Sequence, residues 1–341
     1  MGSKRPPRKS DAPDGSPLVL PLAVRLRIAQ TSCMYQTLLA PFDGSSFGAR
    51  ALPVAVELAR RTGAMVHLAM VHDPSAFIPF VPGEVAVPIY DVALVRERRE
   101  ADQALLDREV ASLRAQDVRV TGALIEGTVV ESLVEYGQQV ASELTVMTTH
   151  GRGGFARLRL GSVTASYLSR STTPVLLVHG AGDETDGTTP PTLPTRTLLC
   201  PLDGSPFSEH ILPHAAAFAD ACGMTLELFS VTTPHAVAMA PFATEALLAD
   251  PSDIVQEEHD RLDYLVRIAA EWAPGTVPYA VTDMAVGRAI LEEAARCGAG
   301  AIAMATHGRS GLARVVLGSV ADEVIRHTSL PMLLYRPDVK K

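Results

Sequence analysis

Thr149-His-Gly-Arg-Gly-Gly-Phe-Ala-Arg-Leu-Arg-Leu-Gly-Ser-Val163 returns as Thr306-His-Gly-Arg-Ser-Gly-Leu-Ala-Arg-Val-Val-Leu-Gly-Ser-Val320, identical at 11 of 15 positions. The repeat extends upstream, where Leu38-Leu-Ala-Pro-Phe-Asp-Gly-Ser45 matches Leu198-Leu-Cys-Pro-Leu-Asp-Gly-Ser205. The loops are offset by 157 residues and the upstream segments by 160. A whole domain is therefore duplicated, and a chain of 341 residues has room for two such cores.

Working outward from the loops, short apolar runs alternate with longer amphipathic stretches. Residues 37–42, 65–71, 118–125, 144–148 and 174–179 read as strands, bounded by Gly, Pro or Asp. Residues 47–61, 92–115, 129–141 and 162–171 have helical periodicity. The second copy repeats the order, with strands at 197–202, 225–231, 277–281, 299–305 and 331–335 and helices at 207–221, 252–271, 287–296 and 319–327. Strands apolar on both faces and separated by helices imply a parallel sheet covered on both sides, a doubly wound α/β fold occurring twice.

Residues 180–195, rich in Gly, Pro and Thr, read as a linker, and residues 1–34 as a disordered leader. Residues 73–90 and 232–249 follow the second strand of each copy and carry several prolines. Their place at the carboxyl edge of the sheet makes each a lid, a partner surface or an ordinary crossover loop. A net charge of −8 argues against a nucleic-acid or anionic-membrane surface. The only lysines are Lys4, Lys9, Lys340 and Lys341, all at the chain ends. Cys33, Cys200, Cys222 and Cys297 show no CxxC or metal-ligand spacing and read as free thiols of a reducing compartment. No apolar run approaches the ~20 residues that span a bilayer.

The chemistry concentrates at the repeated loops. Gly151 and Gly308 let the chain turn sharply and bring backbone amides near a ligand. Gly161-Ser162 and Gly318-Ser319 open helices, and are expected to offer free amides, a hydroxyl and the positive end of a helix dipole to phosphate. Asp43 and Asp203 either cap the following helix with Ser45 and Ser205 or face a ligand. Arg152 and Arg309 either reach a phosphate or lie in solvent, whereas His150 and His307 read as structural.

On the loop, the Asp-Gly-Ser after strand one and the Pro-led closing strand, the chain resembles a tandem universal stress protein. That family carries Gly-x-x-Gly, nine residues and Gly-Ser/Thr, a signature for binding ATP on a five-stranded parallel sheet. The resemblance covers residues 35–179 and 196–336, leaving 337–341 as a tail. It implies that Asp43 and Asp203 contact the nucleoside and that Val71 and Val231 present backbone to adenine. Pro41 and Pro201 flank those aspartates, and Gly151, Arg152, Gly161, Ser162 and Val163 map onto the phosphate loop, as do Gly308, Arg309, Gly318, Ser319 and Val320. The chain departs from the pattern at Thr148 and Ala305, where the signature has its first glycine. Thr148 adds more bulk than Ala305, yet the first copy keeps Gly127 where the second has Met284, so the two criteria favour different halves.

The resemblance implies a cytoplasmic stress regulator that holds ATP, AMP or ADP, with Mg²⁺ accompanying ATP, and that acts on an unknown protein partner. The alternative is an interaction module of the same fold that binds no nucleotide. A third reading is a slow ATPase, although no Walker loop exists and the copies have no lysine to serve as a P-loop lysine. The family pairs domains through the strand that closes the sheet. That implies pseudo-two-fold packing of the halves here, with a homodimer beyond it.

Overall fold

In the computed structural model, residues 34–74, 92–149, 160–179, 193, 196–233, 251–306 and 317–337 are described, with side chains excepted at 92 and 251–254. The first half runs β1 (Thr37–Pro41), α1 (Leu52–Thr62), β2 (Met65–His72), α2 (Val92–Arg114), β3 (Val120–Glu126), α3 (Val129–Gln139), β4 (Leu144–Thr148), α4 (Ser162–Arg170) and β5 (Val175–Val178). The second repeats it as β6 (Thr197–Pro201), a one-turn α5 (Pro206–Glu209), α6 (Leu212–Cys222), β7 (Thr225–Thr232), α7 (Pro251–Trp272), β8 (Tyr279–Thr282), α8 (Val286–Arg296), β9 (Ala299–Ala305), α9 (Ser319–His327) and β10 (Met332–Tyr335).

The helices expected over 47–61 and 207–221 are each interrupted. Pro53 and Pro213 lie in the first turn of α1 and α6 and have no N–H to bond the turn before them. The preceding residues close with tighter bonds instead, Arg50 N to Phe47 O at 3.1 Å and Ile211 N to Ser208 O at 3.3 Å.

The strands form one ten-stranded sheet in the order β3-β2-β1-β4-β5-β10-β9-β6-β7-β8. Pairing is parallel within each half, and β5 meets β10 antiparallel with Leu176 opposite Leu333. The strands of the two halves therefore run in opposite directions, so their carboxyl ends lie on opposite edges of the sheet. Interior strands are mostly buried, β4 and β5 completely, whereas the terminal strands β3 and β8 are largely half-exposed. Leu58, Leu106, Phe218 and Leu265, from α1, α2, α6 and α7, pack in one core layer. Leu133, Leu168, Ile290 and Val324, from α3, α4, α8 and α9, pack in the other.

Polar contacts reinforce the seam. Tyr35 donates from Oη to His214 O at 3.0 Å, Arg61 donates from Nη1 to Cys222 O at 2.8 Å, and Arg336 reaches Ser169 O. The His214 ring lies 4.3 Å from that of Tyr335, and burial pushes the His214 pKa down to about 4. Cys200, Cys222 and Cys297 are free thiols, and burial pushes the first two up to about 12. Among the described residues no helix is long and apolar enough to cross a membrane.

Candidate functional site

In the first half, β1 connects toward β2 and the sheet edge, while β4 connects the other way to β5. The helix after β1 lies on one face and the helix after β4 on the other, so the chain diverges and opens a crevice beyond the carboxyl ends of β1 and β4. This is the switch point at which open α/β sheets take ligands. Asp43, just past Pro41, and Thr148 with Gly161 stand on its two sides. The second half builds the same crevice between β6 and β9 from Pro201, Asp203, Ala305 and Gly318.

The loop after strand one is tied in the same way in both halves. Asp43 Oδ1 accepts from Ser45 N at 2.9 Å and Ser45 Oγ at 2.6 Å, and Ser45 Oγ accepts from Gly48 N at 2.9 Å. Asp203 Oδ1 accepts from Ser205 N and Oγ at 2.9 and 2.5 Å, and Ser205 Oγ accepts from Ser208 N at 3.2 Å. Gly44 and Gly204 make the turn possible, with φ of 79° and 76°. Ser205 thereby caps the one-turn α5, whereas Ser45 makes the matching bond to Gly48 N without being the N-cap of α1, whose N-cap is Ala51; in both halves the Ser holds the carboxylate beside the crevice. A Cβ at Gly48 would fall 2.3 Å from Asp43 Oδ1, so the absence of a side chain there leaves room for that carboxylate.

At the opposite wall, Gly161 precedes α4 and Gly318 precedes α9. The expectation that their own amides are free is corrected: Gly161 N donates to Thr149 O at 2.8 Å and Gly318 N to Thr306 O at 2.6 Å. These bonds close the base of each loop. Helix geometry leaves the next amides, at Ser162 and Val163 and at Ser319 and Val320, without intrahelical acceptors. Ser162, Val163 and Ser319 are exposed, so this amide-rich end faces outward. Thr148 is buried and its carbonyl accepts from Thr164 Oγ1 at 3.0 Å. Ala305 in the second half is half-buried.

Val71 and Val231 lie near the ends of β2 and β7, half-buried against one core layer. Gly151, Arg152, Gly308 and Arg309 lie outside the described residues, as do His150, His307, Cys33 and most of 73–90 and 232–249.

The structure adds residues that spacing could not reveal. Aligning α2 and α7 on their buried Leu106 and Leu265 makes Asp102 the counterpart of Arg261. Asp102 Oδ2 lies 2.8 Å from Nδ1 of His72, which is 1% exposed at the end of β2. Arg261 instead donates from Nη1 to Asp203 O at 2.8 Å, filling the space over Gly204. At the same helix position the first half therefore has an acid on the end of β2, where the second has a guanidinium on the loop after β6. A different cluster brings donor atoms of Glu227, Glu293 and Cys297 within 4.8 Å of one another, but Arg296 bonds both oxygens of Glu293 at 2.6 and 2.7 Å. Glu227 lies toward the start of β7 and Glu293 toward the end of α8, away from the carboxyl-edge crevice.

Residues 34–179 and 194–336 each match the family model described as Universal stress protein family. A universal stress protein of Mycobacterium tuberculosis is 30% identical over 221 residues, 64% of this chain and 69% of that one. One from Methanocaldococcus jannaschii is 28% identical over 145 residues, covering 42% of this chain and 82% of its own length. The crystal structure of a universal stress protein from Archaeoglobus fulgidus aligns with a TM-score of 0.60 at 18% identity, over 91% of this chain and all of that one. With two matched segments that together span most of its length, the chain belongs to the universal stress protein family.

Proposed function

We propose that this protein is a nucleotide-responsive regulator of the cytoplasmic stress response, holding an adenine nucleotide, ATP or AMP, in the carboxyl-edge crevice. The observation that carries this reading is the convergence, in both halves, of an anchored carboxylate and an exposed helix start at the switch point. Asp43 or Asp203 accepts hydrogen bonds from ribose hydroxyls, and the Val71 or Val231 backbone meets the base. The amides of Ser162 and Val163, or of Ser319 and Val320, receive phosphate, where the helix dipole favours negative charge. Mg²⁺ enters with ATP on its phosphate oxygens. The nucleotide orders the loop and biases contacts with a protein partner; turnover is not its role.

A ligand that binds only the folded state stabilises it by about 2.7 kcal/mol at a hundredfold excess over Kd. Melting with ATP, with AMP and without ligand therefore tests the reading. The expected outcome is an upward shift that Asp43→Ala and Asp203→Ala together reduce; no shift at saturating ATP overturns it.

A second reading, an interaction module without nucleotide, is favoured by the bonds that Asp43 Oδ1 and Gly161 N already make within the fold. It expects that Thr148→Gly with Ala305→Gly creates a ligand-dependent shift absent from the parent protein.

A further inference from the structure

Six of the eight large apolar side chains left exposed among the described residues gather at one end of the sheet: Val255, Leu262, Val266, Val277, Tyr279 and Met284. The first three lie on α7. Leu265 and Ala269 point this helix into the core, and Arg261 and Tyr264 on one flank reach inward to Asp203 and Glu209. The seven- and four-residue spacings put Val255, Leu262 and Val266 together on the other flank. That flank overhangs β8, the terminal strand of the sheet. Val277, 84% exposed, lies just before β8 and Met284 follows it; Tyr279 opens the strand on the face opposite α7, its ring stacked on Phe229 at 6.2 Å and under the Arg296 guanidinium at 4.8 Å, and it stays 44% exposed. Among the described residues no strand pairs with the outer side of β8, whose N–H and C=O groups form an open template.

The other end of the sheet is finished differently. With Leu106 and Leu265 aligned, the counterparts of Val255, Leu262 and Val266 are Arg96, Gln103 and Asp107 on α2. Arg96 pairs with Glu100, Gln103 with Asp107, and Arg99 with Glu126 on β3 itself. Charged side chains of this kind blunt an edge strand against association. The β8 end lacks them at the same three positions, so its apolar stripe is not a general property of the fold.

We propose that the β8 end is the docking surface for a second copy of this chain, with β8 pairing antiparallel to its counterpart and α7 packing beside α7 about a two-fold axis. Such an isologous contact is self-complementary: one edge strand satisfies another, and each apolar stripe covers its twin. The area is about two-thirds of the apolar surface such a contact needs. The six exposures add up to a little over three fully exposed side chains. At 60–120 Å² for a Val or Leu side chain they amount to roughly 300 Å² of apolar surface. A standard interface removes about 800 Å² per partner, a little over half of it apolar. Strand backbone and the polar rim supply the remainder.

Sedimentation equilibrium of the full chain over a dilution series tests the proposal. Wild type is expected at twice the 36.2 kDa chain mass, and a triple variant carrying the first-half residues, Val255→Arg, Leu262→Gln and Val266→Asp, at the single-chain mass with its melting profile retained. Val277→Asp, outside both helix and strand, is a second variant expected to halve the mass should the triple variant fold poorly. A wild-type protein at single-chain mass, or a Val277→Asp variant that stays dimeric, overturns it.

Discussion

Gly204 shows how tightly single residues constrain the crevice. Its φ of 76° is costly for a side chain, and a Cβ there would fall 1.7 Å from Arg261 Nη1. Gly204→Ala is therefore expected to lose about 1–2 kcal/mol in urea unfolding, and Arg261→Ala in the same chain to recover only the part due to the guanidinium. Ser45→Ala removes both the acceptor for Gly48 N and a donor to Asp43, which is expected to cost about 1 kcal/mol. His214 sets a pH dependence. Burial keeps it neutral in the folded protein, with a pKa of about 4 against 6.5 when unfolded. Between these values the unfolded state binds more protons, so His214 leaves stability intact above pH 6.5 and lowers it as pH falls toward 4, by about 3 kcal/mol. Unfolding wild type and His214→Phe across this range is expected to give curves that converge at neutral pH and separate in acid, with wild type the more sensitive.

At the scale of elements, β5 and β10 join the halves, and Leu176 and Leu333 face each other there with no solvent exposure. Leu333→Ala is expected to cost about 2–5 kcal/mol through the cavity it leaves. Because the strand belongs to a sheet common to both halves, the loss should appear in the unfolding of both; a transition confined to the second half would contradict this. Strands and helices were legible in the sequence because apolar runs such as 144–148 and helical periodicity such as 162–171 are local properties. The turn before α1 was not, since it depends on which amide Pro53 fails to supply. Asp43 and Ser45 were legible as a possible capping pair from their adjacency. His72 with Asp102, Arg261 over Gly204 and the closing bond from Gly161 to Thr149 were not, because each joins segments that meet only when helices dock on the sheet.

Across the whole molecule, the antiparallel seam sends the two crevices to opposite edges of the sheet. With no residue in common, they are expected to bind independently, so a change at Asp43 should leave the affinity of the second half unaltered. The halves also differ, with Asp102 on His72 in one and Arg261 on the Asp203 carbonyl in the other, and with polar side chains on α2 where α7 exposes Val255, Leu262 and Val266. Duplication thus preserved the strand-end geometry while its surroundings diverged. The most direct test is native mass spectrometry of the purified chain with ATP, reading nucleotides per chain. The expected result is one or two bound, with occupancy falling in Asp43→Ala or Asp203→Ala according to the half that is filled. A chain that carries no nucleotide at saturating ATP, or whose occupancy both substitutions together leave unchanged, would contradict it.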